Sequence, residues 1–378
     1  MAKGEDWTAL GTMSGTSLDG VDVAILRTDG ERILQLGPWT TVPYTPAERI
    51  TLQRATDRAR AWGERVDDDP EIMLAEDLVT RTHAEAILSL MGKTGLEPHE
   101  LDVIGFHGQT LLHRPKEGWT WQVGDGAELA RLTGIGVVSD FRTADMRAGG
   151  QGAPLAPLYH NALLRSHLEA LDLALPVAVL NLGGVANITW IGPGEGDVLA
   201  FDTGPGIGLI DDWVRRHTDK LWDEDGELAL AGKVHADKVT ALIAEDWYAA
   251  RPPKSLDRND FPLGPIEGLT AKDGAATLTA LTAHAVARAR EHLPEAPRQW
   301  LLAGGGRHNR AVVAALREAL GVPVRPVDDL GWRGDPLEAE IFAYLAVRSR
   351  LGRPLTLPTT TGVKEPLTGG RYWAADHE

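Results

Sequence analysis

The sequence predicts an α/β protein built from two domains. Three observations carry this. Short apolar runs of strand length are each bounded by turn residues. Between them, apolar residues recur at spacings of three and four, as on one face of a helix. Beyond the apolar pair of runs at Val177 to Ile191 the whole pattern restarts. With 378 residues the chain is long enough for two such halves, expected at about 1–160 and 161–378. Its 42 glycines and 23 prolines cluster between the apolar runs, the signature of an α/β protein with long functional turns.

In order along the chain, Thr8 to Thr12 reads as a strand, Ser14 to Gly20 as a turn and Val21 to Leu26 as a second strand. So short a connection pairs the two antiparallel, as a hairpin. Pro46 to Asp69 is polar and in part helical. Ile72, Ala75, Val79, Thr82, Ala86 and Leu90 mark one face of a long helix. Leu101 to Phe106 is a buried strand ending at His107, and Ile135 to Ser139 another ending at Asp140. Leu173 to Gly194 has no charged residue, but its prolines, glycines and asparagines suit two buried strands rather than a membrane span. Leu199 to Phe201 ends at Asp202, and helical spacing resumes after Gly208. Asp211 to Arg258 is polar and tryptophan-containing. Ala271 to His292 is a long helix, Trp300 to Ala303 a strand, Gly304 to Gly306 its turn, and Asn309 to Leu320 a helix. Val322 to Pro326 and Pro336 to Arg350 supply a final strand and helix.

Composition excludes several functions. A formal charge of −16 gives no general attraction to nucleic acid or anionic lipid. The absence of cysteine removes disulfides, thiolate nucleophiles and cysteine-ligated metal centres. No apolar leader opens the sequence, so a cytoplasmic protein is expected. There is no Walker-type phosphate loop, no Gly-x-Gly-x-x-Gly opening a helix, no Gly-x-Ser-x-Gly elbow and no His-Glu-x-x-His.

Four polar clusters lie at strand ends, where open α/β sheets bind ligands. Ser14-Gly15-Thr16-Ser17-Leu18-Asp19-Gly20 is either a tight hairpin turn or a phosphate grip of amides and hydroxyls. His107-Gly108-Gln109-Thr110 is either a strand cap or a ligand contact. Asp140-Phe141-Arg142, Asp145 and Gly149 to Leu155 combine carboxylates, a guanidinium and Gln151, a set suited to a polyhydroxylated ligand. Asn181 to Asn187 and Phe201 to Gly206 pair a glycine turn with Asp202. With Gly304-Gly305-Gly306, three widely separated glycine turns suggest a nucleotide held between two domains.

These residues resemble a known family. Gly11-Thr12-Met13-Ser14-Gly15-Thr16-Ser17-Leu18-Asp19-Gly20-Val21-Asp22 is similar to the opening signature of the anhydro-N-acetylmuramic acid kinases. The likeness continues through Gly105 to Thr110, Trp121 to Asp125, Asp140 to Leu155, Asn181 to Thr189, Phe201 to Gly206 and Gly304 to Gly306, nearly the whole chain. It departs at Ile207-Gly208, where the family usually carries asparagine, and again near Thr361 to Gly370.

The resemblance implies the two-domain actin-like fold shared by sugar kinases, Hsp70 and actin, with ATP in the interdomain cleft. It implies that Gly15, Thr16, Ser17, Leu18, Asp19, Gly20, Val21 and Asp22 hold the terminal phosphates. Asn181, Gly183 and Gly184 would form a second phosphate turn, and Gly304, Gly305 and Gly306 an adenosine turn. The reaction implied opens 1,6-anhydro-N-acetylmuramic acid with water and phosphorylates O6, a step of cell-wall recycling. Asp202 would be the general base, with Asp140 as runner-up. His107, Gln109, Arg142, Asp145 and Gln151 would bind the sugar, and Asp19 or Asp22 would help place Mg²⁺, through water. Glu338 and Glu340 open the last helix and either touch the sugar or form a solvated face. A homodimer is expected. Another sugar kinase on the same fold, or a nucleotide-binding regulatory module, are the alternatives.

Overall fold

The computed structural model describes residues 6–15, 17–168, 171, 173–256 and 263–375. The chain begins with β1 (Trp7–Ser14) and β2 (Gly20–Thr28), antiparallel partners from Trp7 opposite Thr28 to Ser14 opposite Val21. This is the expected hairpin. Strand β3 (Ile33–Pro43) pairs antiparallel with β2 and had no counterpart in the sequence pattern. It is half-exposed, and Gly37-Pro38 interrupts its alternation.

Helix α1 (Pro46–Trp62) begins at a capping box in which Thr45 and Glu48 satisfy each other's backbone amides. Helix α2 (Pro70–Thr94) begins at Asp69, whose carboxylate accepts from the amides of Glu71 and Ile72. All six residues expected on its inner face are buried. Next come β4 (Val103–Arg114), β5 (Trp119–Val123), α3 (Gly126–Thr133), β6 (Val137–Ser139), α4 (Thr143–Arg147) and α5 (Pro157–His167). Strand β4 does not stop at His107 as expected, because its second half is held by an antiparallel turn-back with β5.

The second stretch runs β7 (Val177–Leu182), β8 (Val185–Ile191), β9 (Val198–Pro205), α6 (Gly208–His217), α7 (Glu227–Leu230), α8 (Ala236–Ile243), α9 (Asp246–Ala249), α10 (Ala271–Ala289), β10 (Gln299–Ala303), α11 (Arg310–Leu320) and β11 (Val324–Pro326). The chain then continues into α12 (Leu337–Arg350) and β12 (Arg371–Trp373). Among the described residues no helix is long and apolar enough to cross a membrane.

The chain divides into two units, but not at 160. The first takes residues to His167 and again from Asp335 onward; the second is Leu168–Gly334. The start expected near 161 falls at Leu168, and the end expected at 378 is corrected to Gly334. Helix α12 packs across β1, β2 and β4, and β12 pairs with β6, so the end of the chain completes the first unit.

Two glycines explain how α12 fits. Gly11 and Gly105 lie side by side in the parallel pairing of β1 with β4. A Cβ on Gly11 would come within 1.9 Å of the Ala339 carbonyl oxygen, and one on Gly105 within 2.0 Å of that of Phe342. The helix backbone lies directly on the sheet there.

The first sheet has the order β12-β6-β4-β1-β2-β3, with β5 added to β4; the second is β11-β10-β7-β8-β9. The two repeat one plan. Three successive antiparallel strands are followed by two more that add, parallel, beside the first. The duplication is one of topology, and no sequence period betrays it. Each unit has its own apolar core, with Leu10, Val79, Ile104, Phe106 and Trp121 in the first and Leu180, Ile188, Phe201, Leu281 and Trp300 in the second.

Candidate active site

In the first unit, the turn after β1 is closed by the Leu18 amide donating to the Gly15 carbonyl. Leu18 adopts φ +55°, unusual for a branched side chain and a sign of an over-determined turn. The Asp19 carboxylate accepts from Ser17 Oγ at 2.8 Å and the Gly20 amide at 3.1 Å, which shapes the loop. Asp22 sits on β2, accepts from the Thr41 hydroxyl on β3, and is pushed up to about 6 by burial, with Asp19 and Asp335 adding to the rise. Thr16 lies outside the described residues.

Gln109 faces this hairpin. Its Oε1 accepts from Ser14 Oγ, which also accepts from Tyr44 Oη at 3.0 Å. Gln109 therefore locks β4 to the turn.

His107 and Arg142 form one assembly. Arg142 Nε and Nη2 both point at His107 Nε2, at 3.1 and 3.0 Å, and Nη1 donates to the Gly152 carbonyl at 2.7 Å. With Nε2 accepting, the proton resides on Nδ1, which donates to the Gly108 carbonyl at 3.0 Å. Burial, and then the Arg142 charge, hold this histidine well below its ordinary range, so it stays neutral. Burial also lowers Arg142 to about 10, against the opposing influence of Glu338 and Asp145. Asp145 turns inward. It accepts from the Gly152 amide at 2.7 Å and from the Thr361 hydroxyl, while the Gln151 amide donates to the Thr361 carbonyl.

Asp140 ends β6 in a left-handed conformation, φ +55°, which costs about 1–3 kcal/mol at a non-glycine residue. It lines a cavity of about 220 Å³ together with His107, Gln122, Thr143, Glu76 and Trp373. Glu340 is fully buried and accepts from Tyr159 Oη, so it is no solvated face; Glu338 is the member of the pair that acts on Arg142.

In the second unit the three glycine turns meet. The amides of Ile207 and Gly206 donate to the carbonyls of Gly183 and Gly184, which ties the β7–β8 turn to the start of α6. Gly304 has φ +74°, and a Cβ there would lie 2.4 Å from Asn181 Oδ1. Arg307, paired with Asp328 at 2.7 Å, also donates to the Gly304 carbonyl and braces that turn.

Strand β9 runs past Asp202 to Pro205, so the aspartate lies within the strand rather than beyond its end. Its own amide donates to the Lys254 carbonyl at 3.0 Å, and its Oδ2 accepts from the Leu256 amide at 2.7 Å. Burial pushes the carboxyl up to about 7; the Leu256 N–H and the Lys254 charge restrain the rise. A carboxylate near neutrality is suited to general-base work.

The profile of anhydro-N-acetylmuramic acid kinase matches residues 8–374. The chain belongs to this family. It is 52% identical over 369 residues to the anhydro-N-acetylmuramic acid kinase of Rhodospirillum rubrum, covering 97% of this chain and 94% of that one. Identity is 51% over 362 residues to that of Rhizorhabdus wittichii, covering 96% and 97%, and 48% over 365 residues to that of Zymomonas mobilis, covering 96% and 98%.

Within this anhydro-N-acetylmuramic acid kinase family chain, the duplicated strand plan is that of the actin-like two-domain fold. His107, Arg142, Asp145 and Gln151 come together in the first unit while Gln109 turns to Ser14, and Asn181, Gly183, Gly184 and the three glycines 304–306 come together in the second. The sequence reading missed Lys254, Leu256, Thr41 and Thr361. Only the run Thr359-Thr360-Thr361 offered a signal, since the others act through contacts distant in sequence.

Proposed function

We propose that the chain catalyses the ATP-dependent opening of 1,6-anhydro-N-acetylmuramic acid to N-acetylmuramic acid 6-phosphate and ADP, with Asp202 as the base. Membership of the family makes it a kinase of this sugar. The observation that carries the role of Asp202 is its setting: a buried carboxylate near neutrality with one oxygen tied to the Leu256 amide. The other oxygen takes a proton from water as the water oxygen bonds to the anomeric carbon. The C1–O6 bond breaks, and O6 attacks the γ-phosphorus in line as ADP leaves.

The turn at 15–22 and the glycine turns at 183–184 and 304–306 would hold the nucleotide. The buried Arg142 guanidinium, braced by His107, suits the carboxylate of the lactyl ether. The residues fit Mg²⁺: Asp22 is raised first by burial and then by the charges of Asp19 and Asp335, and a cation would relieve that repulsion. Asp19 and Asp22 would hold it, through water, and it would supply charge neutralisation on the phosphates. On this reading the enzyme is cytoplasmic, serves cell-wall recycling and works as a homodimer.

An ADP-release assay across a panel of sugars tests the proposal. Turnover with the anhydro-sugar alone is expected. Equal turnover with no sugar present would favour a nucleotide-binding regulatory module, and turnover with another hexose a different sugar kinase.

A further inference from the structure

The segment Lys254–Leu256 runs along β9, the edge strand of the second sheet, and clamps Asp202 from both sides of its peptide unit. One bond goes from the Asp202 amide to the Lys254 carbonyl, and the other from the Leu256 amide to Oδ2. The Lys254 side chain folds back inside. The residue is 8% exposed, and its ammonium donates to the carbonyls of Trp247 (3.4 Å) and Tyr248 (3.1 Å) in α9 and lies 4.4 Å from the Trp247 ring and 5.8 Å from that of Phe201.

A lysine buried in this way is costly unless its charge is used. Capping a four-residue helix is a small return, since water could satisfy the same carbonyls at the surface. The geometry points to a second role: Lys254 and the strap that carries it are a positioning device for Asp202, fixing Oδ2 as the held oxygen, leaving Oδ1 to receive the proton, and tuning the carboxylate through the field of the ammonium. The inference rests on the reading of Asp202 as base.

The groups around the pair favour this. Asn187 lies opposite Asp202 on β8 and carries no charge. Arg288 of α10 acts on Lys254 and donates to the Ile243 carbonyl. His292, just past α10, turns Nε2 toward the Tyr248 carbonyl at 3.4 Å and its ring toward Phe201. Tyr248 itself faces Glu245 and Arg288. Among the described residues Lys254 is thus the cation that acts on Asp202. It is lowered to about 8, first by burial and then by Arg288, with Asp202 opposing.

The test uses the full chain with Lys254→Met, which keeps the apolar stem, Lys254→Arg, which keeps the charge, and Leu256→Pro, which removes the held N–H. The Asp202 carboxyl is titrated by ¹³C NMR of aspartate-labelled protein, its signal assigned by loss in Asp202→Asn, and the acid limb of kcat/KM for the anhydro-sugar is measured in parallel. Lys254→Met and Leu256→Pro should each move the NMR midpoint and the limb up by about one pH unit, and Lys254→Arg should restore them. A purely structural role would lower kcat at every pH and leave the midpoint in place, and that result overturns the inference. Because the NMR midpoint is read without turnover, a shifted midpoint with Asp202→Asn still active would instead overturn the assignment of the base.

Discussion

Replacing Asp202 by asparagine should make the protein more stable as it makes it inactive. Folding raises this carboxyl from 3.8 to about 7, which corresponds to about 4 kcal/mol of disfavour for the ionised form in the native state. Below pH 3.8 the group is protonated in folded and unfolded chain alike and the penalty vanishes. Between 3.8 and about 7 the unfolded chain gives up the proton while the native state retains it, so stability drains away as pH rises. Above 7 the full cost is present. An asparagine keeps the shape and still accepts from the Leu256 amide through its carbonyl, but it carries no charge to bury. Urea titrations at pH 8 should therefore show a higher midpoint for Asp202→Asn than for wild type, and the two should converge near pH 4. In the coupled assay the same variant should lose about 10²–10⁴-fold in kcat, with ATP affinity nearly unchanged. A variant no more stable than wild type at pH 8 would refute the claim that the native site bears the cost of this charge. Near-normal turnover, with Asp140→Asn inactive, would transfer the role to Asp140.

Arg142→Lys should raise the KM for the anhydro-sugar by about tenfold or more and leave ADP binding by calorimetry unchanged, because a single ammonium cannot hold His107, the Gly152 carbonyl and a ligand carboxylate together. Gly304→Ala should weaken ADP binding and lower stability by more than about 1 kcal/mol, since the position needs positive φ and a Cβ would strike Asn181; an unchanged melting temperature would contradict this. Run in ¹⁸O-water and quenched before anomeric exchange, the reaction should place label at C1 and none in the phosphate ester. Ring opening with ATP left out would contradict coupled attack.

What was legible in the sequence was local. The Asp19-Gly20 turn between two apolar runs announced the β1–β2 hairpin, and the three-and-four spacing from Ile72 to Leu90 announced α2. Strand β3 escaped because an edge strand with one wet face and Gly37-Pro38 inside it loses the alternation that marks a strand. The glycines at 11 and 105 looked like any others; their need for a bare backbone comes from a helix more than two hundred residues away. At the site, residue types were readable but their partners were not. His107 and Asp145 read as polar residues at strand and loop ends, but that a ring nitrogen accepts from Arg142 and that both carboxylate oxygens turn to the Gly152 amide and Thr361 is visible only in the fold. Lys254 lies 52 residues beyond Asp202 in a stretch with no periodic pattern, so nothing short of the fold could join them.

The return of the chain to its first unit has a consequence for biosynthesis. Residues Leu168–Gly334 are contiguous, so the second unit has all its strands once that stretch clears the ribosome. The first unit does not. Strands β1 to β6 are laid down early, but β12 is still to come, and the surface of β1 and β4 at Gly11 and Gly105 stays uncovered until α12 is made. The usual amino-to-carboxyl order of domain folding is thereby inverted: the inserted half can mature first, and the other half waits for the stretch from Asp335 onward. A chain stalled or truncated before Asp335 would hold a finished second unit beside a sheet with an open apolar face, the kind of nascent species that chaperones retain.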